Sequence, residues 1–137
     1  MSVAFRGTDT TMAGWKENLN MACASVMPSQ LAAEYLDMIA GTYGGHLCVG
    51  GHSKGGNLSV YASPCGAPST QERILSVYSH DGLGFHRDFF QQDGYRNVRE
   101  RISRTIPEPV VYLGHCMMLL PRFPGILLQA TVYELQL

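Results

Sequence analysis

The residues best placed to do chemistry lie in Val49-Gly50-Gly51-His52-Ser53-Lys54-Gly55-Gly56-Asn57. Inside this stretch Gly51-x-Ser53-x-Gly55 has the G-x-S-x-G spacing of a nucleophile elbow, in which a serine hydroxyl attacks an acyl carbon. The spacing has a mechanical reason. A strand that reverses at once into a helix forces its middle residue into a strained backbone and pushes that side chain out over the sheet edge. The residues two before and two after then approach so closely that neither has room for a Cβ. The serine also lands at a helix N-terminus, where N–H groups and the helix dipole favour a developing oxyanion. A glycine-rich turn of purely structural purpose has the same composition and is the plain alternative. A phosphate cradle is excluded, because it needs G-x-x-x-x-G-K followed by Ser or Thr. Here Lys54 follows Ser53 and precedes Gly55.

The elements around the serine are legible. Leu47-Cys48-Val49 is apolar and reads as a strand over 46–50, and a helix is predicted from Gly55 to about Ser63. Before them, residues 2–6 read as a short strand, and Gly7-Thr8-Asp9-Thr10-Thr11 as a turn. Trp15, Leu19 and Ala22 set helical spacing over 12–23. The clearest helix follows, with Ser29 as N-cap and Leu31, Ala32, Tyr35, Leu36, Met38 and Ile39 as its apolar face. Gly41 supplies the stop. After the loop 64–68, Ser69 or Thr70 caps a single turn, and residues 74–79 alternate as a strand. His80 to Phe85 form a loop. Residues 88–92 and 95–103 read as helical, separated by Asp93-Gly94. Strands alternating with helices indicate an α/β fold with a parallel sheet, where ligands bind at the carboxyl ends of the strands. Three polar clusters fall at such ends: Arg6 to Asp9, His52 to Lys54, and His80 with Asp81.

Composition narrows the function classes. The 137 residues make one domain with enough chain for a real core, 15% charged and 45% apolar. A net charge of −1 with no basic block gives no sign of nucleic-acid binding. Arg96, Arg99, Arg101 and Arg104 read as a solvated helix face. The four cysteines, Cys23, Cys48, Cys65 and Cys116, form no C-x-x-C pair, and no His stands at zinc spacing. Cys48, in its apolar run, reads as a small buried hydrophobe. No metal or cofactor is expected. Arg6 and Asp9 interrupt any leader-like pattern, so a reduced cytoplasmic protein is the expectation. Residues 109–132 carry one charge, Arg122, but prolines break them, and the membrane signal is not strong.

Three motifs together resemble a family. Phe5-Arg6-Gly7-Thr8-Asp9 followed by Gly51-His52-Ser53-Lys54-Gly55-Gly56-Asn57-Leu58 is similar to the class-three lipase branch of the α/β-hydrolases. The nearest likeness is to a bacterial lipase-like family of unknown function. Trp15-Lys16-Glu17, Asp81-Gly82-Leu83-Gly84-Phe85 and Asp93-Gly94-Tyr95 extend the likeness from about Val3 to Glu108. The resemblance implies a hydrolase-like parallel sheet with flanking helices, lacking the strands that usually precede the Phe-Arg-Gly-Thr strand. It also implies an oxyanion hole from the backbone N–H groups of Thr8 and Lys54, with Ser53 as nucleophile. The triad acid falls on Asp81 or, one strand later, on Glu108, and the base on His115.

Residues 1–108 thus read as a hydrolase-like core and 109–137 as an atypical apolar tail. The first functional reading is a lipase- or esterase-type serine hydrolase acting on a small acyl ester or lipid. A truncated, inactive remnant that keeps the elbow is the second. A membrane-surface or partner-binding protein using the apolar tail is the third.

Overall fold

The computed structural model describes residues 1–7, 27–82 and 84–105. Its four strands form one all-parallel sheet in the order β1-β2-β3-β4. β1 is Ser2–Phe5, β2 Leu47–His52, β3 Ile74–His80 and β4 Ile102–Thr105. The connections carry α1 (Met27–Thr42), α2 (Lys54–Cys65), α3 (Pro68–Arg73) and α4 (Asp93–Val98). This is the α/β arrangement expected from the sequence. Parallel strands paired in chain order need a crossover at every step, and right-handed crossovers then fall on one face. α2 accordingly packs on the sheet, with α1 and α4 against it.

The strand rows show which face is the core. Val3, Val49, Val77 and Ile102 are register partners across all four strands, and the three valines are buried. Burying each stabilises the fold by about 1.5–3 kcal/mol relative to leaving it in water. The row Ala4, Gly50, Tyr78 and Ser103 lies on the opposite face, and none of its members is buried. Cys48 shares that open face and is half-buried, so it is not the core hydrophobe expected.

α1 departs from its prediction at both ends and around its circumference. Ser29 lies inside the helix, buried, and does not cap it. Leu31, Tyr35 and Met38 are exposed, while Ser29, Ala32, Ala33, Leu36 and Ala40 form the buried side. Small residues let α1 approach α2, itself built of Gly55, Gly56, Ser59, Ala62 and Ser63 among its buried positions. That close approach outweighs burial of the larger side chains. Gly41 does not stop the helix. It runs on to Thr42, Gly45 then turns the chain at φ 85°, and the carbonyls at and just beyond the helix end are held by Arg73. That guanidinium donates to the carbonyls of Ala40, of Tyr43 and, at 2.7 Å, of Gly45. Arg73→Ala is expected to destabilise the fold by about 1–3 kcal/mol in urea unfolding. Arg73→Lys should recover less than half of that, because an ammonium cannot span three carbonyls.

The predicted helix over 95–103 is also corrected. α4 begins at Asp93 and ends at Val98, and Ile102 and Ser103 belong to β4. Arg101 enforces the stop by donating to the carbonyls of Gln71, Ile74 and Asn97. Of the four arginines, only Arg96 and Arg99 are solvated, paired with Asp93 and Glu100. Pro64 closes α2 instead of opening a loop, and Pro68, not Ser69 or Thr70, starts α3. Among the described residues no helix is long and apolar enough to cross a membrane.

Candidate active site

β2 runs to His52, and α2 begins at Lys54, so Ser53 alone makes the reversal. Its backbone sits at φ 53°, ψ −118°, a region that L side chains rarely adopt. Two hydrogen bonds hold it there. The Ser53 N–H donates to the His80 carbonyl at 2.8 Å, tying the turn to the end of β3. The Asn57 N–H donates to the Ser53 carbonyl at 3.1 Å and opens the helical ladder.

The flanking glycines are required by backbone contact. A Cβ on Gly51 would lie 2.4 Å from the Gly55 carbonyl carbon and 2.8 Å from the Phe5 oxygen. A Cβ on Gly55 would lie 2.1 Å from that same Phe5 oxygen. The end of β1 therefore presses against the elbow, and the glycine spacing read from the sequence is a packing necessity. Lys54 is the first residue of α2, which puts its N–H at the positive end of the helix dipole.

Asp81 ends β3 as Ser53 ends β2, since His52 and His80 are register partners. Among the described residues, Ser53 and Asp81 are the two non-glycine positions with positive φ, at 53° and 54°. Backbone strain is thus concentrated where two neighbouring strands deliver polar side chains. The Asp81 N–H donates to the Thr105 carbonyl at 2.8 Å, which anchors the loop to β4. Gly82 packs on α2: a Cβ there would lie 2.4 Å from the Ser79 hydroxyl and 3.0 Å from the Asn57 nitrogen. Asn57, buried in α2, directs its amide to the Gly84 carbonyl at 3.5 Å. Arg104 donates from β4 to the Gly82 carbonyl at 2.6 Å. Phe85 closes the loop by stacking on Phe89, ring centroids 4.3 Å apart.

Sequence reading missed the roles of Asn57 and Arg104. Asn57 follows two glycines in a helix that buries nearly every side, so an amide there implies a fixed partner. No sequence signal marks Arg104.

The remaining predicted residues divide clearly. Ser53, Lys54, Gly51, Gly55 and Asp81 are gathered at one carboxyl edge of the sheet. Thr8, Glu108 and His115 lie outside the described residues. Of the described histidines, His46 precedes β2 at the opposite edge, and His86 pairs with Asp88 at 3.2 Å on the surface. His52 and His80 end their strands beside the serine. Among the described residues no hydrogen bond joins an imidazole to the Ser53 hydroxyl.

Titration is perturbed away from this edge. Burial raises the Cys65 thiol above its usual range, opposed by a hydrogen bond with Tyr61, and burial likewise raises the Tyr95 phenol. Both keep their protons at neutral pH and belong to the core beside α4. Among the described residues no three His, Cys, Asp or Glu side chains group to hold a metal ion.

No curated protein and no solved structure matches the chain. The Mbeg1-like family matches over residues 1–135, and the chain belongs to that family.

Proposed function

We propose that the chain is a serine hydrolase acting on carboxylic esters, with Ser53 as its nucleophile. The supporting observation is the backbone of Ser53 itself, strained at a strand-to-helix reversal and wedged between two glycines that admit no side chain. Such strain persists only where the surrounding structure enforces it, and it concentrates at functional sites.

In this reading the Ser53 oxygen attacks the acyl carbon as its proton passes to a base. The tetrahedral oxyanion is met by the Lys54 N–H at the start of α2 and by the Thr8 N–H. The acyl-enzyme formed on loss of the alcohol is then hydrolysed by water. His115 is assigned the base and Asp81, which follows β3 at the same carboxyl edge as Ser53, the acid; Glu108 is the alternative acid. The substrate is a small acyl ester or lipid, and no cofactor takes part.

Pre-steady-state kinetics with a p-nitrophenyl ester tests the scheme. The full chain is expected to release a burst of nitrophenolate stoichiometric with Ser53, and Ser53→Ala none. A linear trace that is identical in both proteins contradicts it and leaves the inactive remnant.

A further inference from the structure

The open face of the sheet is polar where it meets the elbow. His52, His80 and Thr105 are register partners on β2, β3 and β4. Arg6 continues the row, since it follows Phe5, whose partner is Gly51. A Cβ on the next residue, Gly7, would lie 3.1 Å from the His52 carbonyl oxygen, which confirms how closely the two strand ends run. Side chains in one row of parallel strands share a face. The face is the open one: Tyr78, two residues before His80, stacks on its ring with centroids 6.5 Å apart and planes 3° from parallel. Arg6, His52 and His80 are exposed and Thr105 is half-buried.

A guanidinium, two imidazoles and a hydroxyl therefore line up beside Ser53. All four side chains can donate hydrogen bonds, and the row holds no carboxylate. Asp81, next to His80, is the acidic side chain at this edge among the described residues, and it stands one position past the row, where the backbone leaves the strand at φ 54°. With strands about 4.8 Å apart, Arg6 to His80 spans about 10 Å. That is the width of a headgroup, wider than a single small ion. An arginine fork and neighbouring N–H donors suit a phosphate, whose oxygens accept from several sides.

We propose that this row selects esters carrying a phosphate group close to the acyl linkage, held by Arg6, His52 and His80. The proposal rests on the hydrolase reading of Ser53 and names its substrate class.

The test is equilibrium binding by calorimetry to the full chain carrying Ser53→Ala. The probes are hexanoylglycerol, hexanoylglycerol phosphate and inorganic phosphate. The phosphate-bearing ester is expected to bind at least about tenfold more tightly than the neutral one. Arg6→Gln and His80→Gln, both at exposed positions, should each reduce that preference several-fold without weakening the neutral ester. Equal affinity for the two esters overturns the proposal, as does a preference unchanged in both variants. Inorganic phosphate binding as tightly as the phosphorylated ester also overturns it, because the site would then recognise the free ion. The burst experiment separates the two readings. A preference without a burst removes the hydrolase, and a burst without a preference removes only the phosphate selection.

Discussion

Ser53→Gly is expected to stabilise the protein while abolishing covalent chemistry at the elbow. A non-glycine residue at φ 53°, ψ −118° holds about 1–3 kcal/mol of backbone strain. Glycine adopts that conformation without a Cβ conflict, at the expense of about 0.5–1 kcal/mol of extra unfolded-chain freedom. Ser53 is only partly buried, so little packing is lost. The net gain should be about 1–2 kcal/mol, read as a higher urea midpoint at unchanged slope. Ser53→Ala keeps the Cβ and should show no comparable gain. If Gly and Ala variants unfold at the same midpoint, the strain is not stored at this residue.

Gly55→Ala acts in the opposite direction. The new methyl would sit 2.1 Å from the Phe5 carbonyl oxygen and 2.9 Å from its carbon. Those are backbone atoms of β1, and β1 is paired through Phe5 to Gly51. No rotamer change relieves the clash, so β1 must move away from β2 or the first turn of α2 must unwind. A destabilisation of about 3 kcal/mol or more is expected, at the upper end for overpacking. Gly51→Ala presses on the same Phe5 oxygen at 2.8 Å. Once β1 has moved for one substitution, part of the second penalty is already met, and the double variant should fall short of the sum. Additive effects in urea unfolding would show that the glycines do not share this contact.

The fold class and the elbow were legible because periodicity and glycine spacing report directly on backbone geometry. Alternation found β3, and the apolar run before Gly50 found β2, with errors only at their ends. The face of α1 was legible in part. Ala32 and Leu36 are inside as expected and Ile39 packs against the core, but Leu31, Tyr35 and Met38 are exposed while Ala33 and Ala40 are buried, because helix approach depends on size as well as on polarity. The boundary between α4 and β4 escaped for a related reason: besides the Asn97 carbonyl of α4 itself, Arg101 is held by the carbonyls of Gln71 and Ile74, which come from elsewhere in the chain. Asp93-Gly94 reads from its composition as a break between two helices. In the fold a Cβ on Gly94 would lie 2.0 Å from the Pro64 carbonyl oxygen, so the residue is glycine to let α4 rest on the end of α2. At the site, Ser53 and the glycines followed from one local motif, while the oxyanion roles of Thr8 and Lys54 came with the resemblance. Asp81 needed the resemblance, and its place beside Ser53 follows from strand order, a non-local property.

The central claim is that Ser53 is an activated nucleophile and not only a strained turn residue. Fluorophosphonate labelling of the full chain, mapped by peptide mass spectrometry, tests this most directly. A single adduct on Ser53, lost in Ser53→Ala and after prior unfolding in urea, is the result this structure predicts. An unlabelled Ser53 in protein that unfolds cooperatively would contradict it.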